Sequence, residues 1–234
     1  MYISPAEVEL RLNIQEAALK KVAQPAPGDR AILLGQLAGT LAIVAFLPNN
    51  VAKTVALLLW WAVTFRRVSS RELAMYVAAC VFFAAMDIAS LKQGIFAFAH
   101  PDLFGLPLYE YYMWGFYLLH TKRMIRGTAS QPRGIEWAIA VMFAVAFGTI
   151  HNPDILLIVT AILLIGWLTL AHQPADLAYF GYMILLGAAI EYTGVWSGQW
   201  SYPGHPLGGV PIWFVTLWGG VGMFLRRIVL PFVG

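Results

Sequence analysis

The chain has 234 residues, 60% apolar and 12% charged, with a formal net charge of +3. Soluble domains carry about 25% charged residues, so this composition excludes a chain that could cover its surface in water. The single cysteine, Cys80, excludes an internal disulfide and a cysteine-based zinc cluster, and the basic residues form no patch of the kind that holds nucleic acid.

Residues 1–30 stand apart. Ser4, Pro5 and Glu7 have the order of a helix start. Val8, Leu12 and Leu19 then share a face until Pro25-Ala26-Pro27-Gly28 ends it, which predicts a cytoplasmic amphipathic segment on the membrane surface or in solvent. Eight apolar segments follow, near 31–47, 51–66, 72–91, 107–125, 135–150, 153–171, 176–196 and 209–230, each close to the roughly 17–25 residues that cross a bilayer. Alternating them across a membrane puts thirteen Lys and Arg on one side and only Lys53 and Lys92 on the other. The positive-inside rule then places the chain in the cell (inner) membrane with both termini cytoplasmic.

A shift of 104 residues lays 31–130 on 135–234 without gaps. Gly94 meets Gly198, Gly105 meets Gly209, Pro107 meets Pro211, Trp114-Gly115 meets Trp218-Gly219, and Arg123 meets Arg227. Asp87 meets Glu191, Phe98 meets Tyr202, and Glu72 meets Asp176. The expected fold is therefore all-α: a polytopic membrane protein of eight transmembrane helices built as two parallel four-helix repeats, 31–130 and 131–234.

Each repeat carries one acid inside an apolar helix, and an ionisable group at such depth signals function by default. Asp87 and Glu191 lie about 24 Å along their helices from the basic side, and Gly-rich connectors 92–106 and 197–210 follow them. Such backbone is tolerated at membrane depth only in protein or against a wet cavity, so an outward-facing pocket is expected between the two acids. Phe98, Tyr109 and Trp114 of the first repeat and Trp196, Trp200, Tyr202 and Trp218 of the second are its candidate walls, with ring faces suited to a developing cation. Lys92 is placed to neutralise Asp87, and Glu191 has no cation nearby. An alternative role for each acid is to anchor its own connector.

Glu110 stands in the first turn of a helix, where an acid complements the dipole, and Glu72 and Asp176 read as caps. The five histidines show no metal-ligand spacing, and no phosphate-binding Gly-Lys-Ser/Thr loop is present. No cofactor or metal is expected.

The run Glu191-Tyr192-Thr193-Gly194-Val195-Trp196-Ser197-Gly198-Gln199-Trp200-Ser201-Tyr202, followed by Gly208-Gly209-Val210-Pro211 and Trp218, resembles the signature region of membrane carotenoid hydratases of the bisanhydrobacterioruberin hydratase type. The Asp87-to-Trp114 stretch resembles a group of small bacterial membrane proteins. Gln199-Trp200-Ser201 stands where the hydratases carry a Pro-Phe-Gly turn. The resemblance implies acid-initiated hydration or cyclisation of an isoprenoid or other apolar lipid, with Glu191 as acid and Asp87 in support. The partners expected are membrane lipid and an apolar small molecule. Two other classes fit the same residues. One is a proton- or cation-coupled transporter lined below the acids by Gln36, Thr40 and Thr64, and the other is a non-catalytic assembly protein.

Overall fold

The computed structural model describes residues 27–127, 129, 134–204 and 208–233. The amphipathic segment expected before residue 27 lies outside them, as does His205. The described chain is nearly all helical: α1 (Pro27–Phe46), α2 (Asn50–Phe65), α3 (Ser70–Lys92), α4 (Glu110–Ile125), α5 (Gly134–Thr149), α6 (Pro153–Ala171), α7 (Pro174–Trp196) and α8 (Phe214–Val233). Each coincides with one of the eight apolar segments to within a few residues, apart from α8, which starts five residues later than its segment. Asp29–Phe46, Ser70–Lys92, Pro153–Leu170, Pro174–Trp196 and Phe214–Val233 are long and apolar enough to cross a membrane, and α2 and α5 are apolar but shorter. Large apolar side chains such as Phe46, Leu59, Val63, Ile162 and Leu185 point outward on this bundle, as a lipid-facing surface requires.

Local chemistry sets the helix starts. Asn49 Oδ1 accepts from the Ala52 N–H at 3.0 Å, and Asn152 Oδ1 from Asp154 and Ile155 at 3.0 Å each, satisfying amides that a helix start leaves open. Ser69 and Glu72 cap α3 reciprocally, and the Gln173 N–H donates to Asp176 at 2.7 Å at the start of α7. The cap roles expected of Glu72 and Asp176 are thus present, and both acids have a second duty. Glu72 binds Lys122 at 3.2 Å and Arg123 at 3.0 Å, and Asp176 binds Arg226 and Arg227.

The core forms where α3 pairs with α4 and α7 with α8, and the two pairs meet through α4 and α7. Gly115 and Gly219 permit the pairings: a Cβ would lie 2.7 Å from Tyr76 and Cys80 at the first and 2.4 Å from Phe180 at the second. One feature has no counterpart in the expected all-helical fold. The connectors pair as antiparallel two-residue strands, β1 (Ala97–Phe98) and β2 (Trp200–Ser201), with Ala97 opposite Ser201 and Phe98 opposite Trp200.

Candidate functional site

At the connector end of the bundle, Asp87 of α3, Glu110 of α4 and Glu191 of α7 line one cavity of about 70 Å³. Asp87 lies five residues before the end of α3 and Glu191 five before the end of α7, so both look inward just beneath the strand pair. Glu110, in the first turn of α4 as expected, is buried and turns toward the same space. Spacing could have revealed this: Glu110, Trp114 and Tyr117 recur at i, i+4, i+7, one face of a helix, and all three line the cavity.

The acids differ in their bonds. Glu191 accepts from Tyr202 Oη at 2.7 Å and Trp200 Nε1 at 3.1 Å on one oxygen, and from Trp218 Nε1 at 3.2 Å on the other. Asp87 accepts from Trp114 Nε1 at 3.0 Å. All of these donors are neutral. Lys92, expected to neutralise Asp87, is instead exposed. Five residues are about 1.4 helical turns, which turns it away from the Asp87 face. An uncompensated buried charge costs several kcal/mol, so a cluster of this make-up must hold protons or take up a cation. Among the described residues no three His, Cys, Asp or Glu side chains converge as metal ligands.

The aromatic walls are partly those expected. Phe98, Trp114, Trp200, Tyr202 and Trp218 line the cavity, together with Trp213 and Phe96. Trp114 and Trp218 stack on each other with centroids 5.0 Å apart and planes at 19°, and Phe83 stacks on the other face of Trp114 at 3.9 Å. Two expected walls lie elsewhere. Trp196 is 75% exposed and packs on Tyr192, because it too follows its acid by five residues. Tyr109 is buried beside the N-terminus of α4, with the Lys53 ammonium 5.1 Å from its ring centroid. Lys53 is itself buried and donates to Gln199 of the second connector, which holds that loop onto α2.

Several residues 104 apart play matching parts. Each acid takes a tryptophan N–H from the following helix. Gly94 and Gly198 have φ of 70° and 71°, and Gly105 and Gly209 have 88° and 87°, left-handed values that favour glycine. Glu72 with Arg123 and Asp176 with Arg227 close the opposite, Arg-rich end.

A second cavity of about 360 Å³ opens between α3, α5 and α8 and is almost wholly apolar. Phe83, Met86, Phe147 and Leu217 line both it and the acid cavity; none of the four stood out in the sequence. Gln36, Thr40 and Thr64 line neither. They belong to a buried network in which Gln36 Nε2 donates to Thr64 at 2.7 Å, Trp61 Nε1 donates to Thr40 at 2.9 Å, and Gln36 Oε1 lies 2.8 Å from His120 Nδ1. Tyr182 Oη, 2.6 Å from His120 Nε2, completes it.

No family model matches the sequence, and no curated protein does. The fold is similar to that of MvINS, a protein whose crystal structure is of a cross-linked trimer. The TM-score is 0.56 at 17% identity, over 70% of this chain and 96% of that one.

Proposed function

We propose that the chain is a multi-pass enzyme of the cell membrane that adds water to a carbon–carbon double bond of an isoprenoid or other apolar lipid. Its eight helices are read as eight spans in two parallel four-helix repeats, with both termini cytoplasmic and the acid cavity toward the outer face. The matched caps, glycines and ion pairs support that reading. So does the strand pair, since Ala97 and Ser201 are opposite each other and 104 residues apart, the register a two-fold axis between repeats demands. On that axis Asp87 and Glu191 face one another.

The observation that carries the function is the shared wall. Phe83, Met86, Phe147 and Leu217 separate an apolar groove open to a lipid chain from a cavity holding three carboxyl groups. A proton passes from a carboxyl O–H to one alkene carbon, the π pair forms the new C–H bond, and a cation remains on the neighbouring carbon. The aromatic side chains that line the cavity stabilise it. Water then gives its oxygen lone pair to that carbon and returns a proton to a carboxylate. Water is the preferred quencher because a cavity of about 70 Å³ holds a few waters and no second substrate. The bonding divides the acids: Asp87, bound through one oxygen only, delivers the proton, and Glu191, held on both, is the fixed carboxylate beside the cation. The hydratase resemblance points to the same reaction, although it implies Glu191 as the acid with Asp87 in support, and the bonding pattern argues for the reverse assignment.

The same acids serve a transport reading, but the polar side chains toward the Arg-rich end are engaged with one another. The test is to reconstitute the protein with long-chain isoprenoid lipids, an acyclic carotene and geranylgeranyl diphosphate among them, in deuterated water. The expected product carries one deuterium on carbon and one new hydroxyl. Asp87→Asn lowers its formation by about 10²–10⁴-fold, the usual contribution of a general acid. Absence of labelled product from the unaltered protein, or unchanged turnover in folded Asp87→Asn and Glu191→Gln variants, overturns the proposal.

A further inference from the structure

A third cavity, of about 380 Å³, lies at the Arg-rich end and is lined by Glu72, Lys122, Arg123, Arg126, Gly127, Ala129 and Leu230. Its lining adjoins that of the apolar groove along three helices. On α3 a single face at three- and four-residue spacing runs from Glu72 in this cavity, through Met75, Ala79 and Phe82 in the groove, to Met86, which lines the groove and the acid cavity alike and directly precedes Asp87. On α4 Leu118 leads from the groove to Lys122, and on α8 Val229 leads to Leu230.

The charges at the two repeat ends do not match. In the second repeat Arg226 and Arg227 face Asp176 and Glu136, two cations against two carboxylates, with side chains at most 3% exposed. In the first repeat, among the described residues, Lys122 and Arg123 share one carboxylate, Glu72, with Arg123 also donating to the Phe65 and Arg67 carbonyls, and Ile32 stands 104 residues before Glu136. Arg126 pairs with Asp29 at 2.8 Å in a more exposed position. Among the described residues, the three cations of the cavity, Lys122, Arg123 and Arg126, therefore meet two carboxylates, Glu72 and Asp29. Its Lys122 and Arg123 side chains are 22% and 20% exposed. Lys122 has one hydrogen bond, to Glu72, which leaves two of its three ammonium donors unused.

We propose that the substrate is an isoprenyl diphosphate-type lipid. Its anionic head is held by Lys122, Arg123 and Arg126, its chain lies along the groove, and its far end reaches the acid cluster. The assignment rests on the hydration reading above and names its substrate class. A neutral polyene has no group to meet the two unused Lys122 donors. From Glu72 to Asp87 is about 22 Å at the α-helical rise, a length a geranylgeranyl chain spans and a geranyl chain does not. Protonation then falls on the double bond farthest from the head, and the diphosphate ester stays intact.

The test measures binding to the full-length protein in nanodiscs of neutral lipid, independent of turnover. Geranylgeranyl diphosphate is expected to bind at least about tenfold more tightly than geranylgeraniol, since basic residues near a membrane surface attract an anionic head. Geranyl diphosphate and inorganic pyrophosphate should bind more weakly than the long-chain diphosphate. Lys122→Gln with Arg126→Gln should remove the preference for the diphosphate, and Lys122→Arg with Arg126→Lys should restore it. Equal binding of the alcohol and the diphosphate overturns the assignment. So does pyrophosphate binding as tightly as the lipid, equal displacement by phosphatidylglycerol, or a preference that survives the double substitution. Hydration of a neutral polyene without head-group preference would sink this inference and leave the enzyme reading standing. Head-group-dependent binding with no deuterium transfer in any substrate would do the reverse.

Discussion

Two glycines decide where the Glu191 carboxylate points. A Cβ on Gly187 would lie 2.2 Å from the Trp218 indole, and one on Gly194 would lie 2.0 Å from that of Trp200. Both glycines sit on the Glu191 face of α7, four residues before it and three after. They let the two indoles lie against the helix and aim their N–H groups at its acid. Gly194→Ala is expected to push Trp200 away from Glu191 and to cost about 1–3 kcal/mol through overpacking. A lower melting temperature in detergent together with a shift in tryptophan fluorescence would register it, and an unchanged spectrum would contradict the arrangement. The acids themselves were legible in the sequence, because a carboxyl inside an apolar run has few reasons to be there. Which aromatics surround them was less so. Trp196 and Trp200 look alike in composition and spacing, and only the path of the connector turns Trp200 back under Glu191 while Trp196 stays outside.

At the level of elements, the eight helices could be read from apolar blocks, caps and prolines, since each signal is local. The strand pair could not, because two residues are too short for an alternating pattern and the pairing joins segments about a hundred residues apart. The burial of the ion pairs at the Arg-rich end was likewise hidden. Charge alone placed Arg226 and Arg227 outside the apolar core, whereas α8 widens into a π-helical turn at Leu225–Val229 and both arginines reach Asp176 from it. Arg227 also donates to Glu136 at 3.0 Å. Arg227→Ala should leave buried carboxylates uncompensated and lower stability by about 3–5 kcal/mol. Arg126→Ala, which removes a half-exposed pair with Asp29, should cost about 0–1 kcal/mol. Thermal unfolding of the two variants side by side checks the contrast, and similar losses would count against a sealed second cluster.

Across the whole molecule, the groove arises where one half departs from the other. Gln36, Thr40, His120 and Tyr182 form the buried network between α1, α4 and α7. The residues 104 positions away are Ala140, Ala144, Phe224 and Ala78, and all four line the apolar groove. At three of the four an alanine stands where the other half has a packed polar side chain, and leaves space. Ala78→Tyr, which restores the bulk found at Tyr182, should fill the groove and lower capture of a long-chain lipid at least about tenfold. That corresponds to the roughly 1.4 kcal/mol set by one factor of ten in affinity. The melting temperature should not fall. Retained lipid binding would place the chain elsewhere. The 104-residue offset was readable from glycines, prolines and tryptophans, but the groove was not, since it depends on what the alanines fail to fill.

The account stands on Asp87 and Glu191 facing a single chamber. Asp87→Cys and Glu191→Cys, combined in a Cys80→Ala background, test this by cross-linking with a short bifunctional maleimide in native membranes, followed by mass spectrometry of the bridged peptides. One intramolecular bridge between positions 87 and 191 is expected, formed in the double variant and suppressed when a long-chain lipid occupies the site. Labelling of each cysteine separately, with no bridge at any reagent length, would put the acids in different places and contradict it.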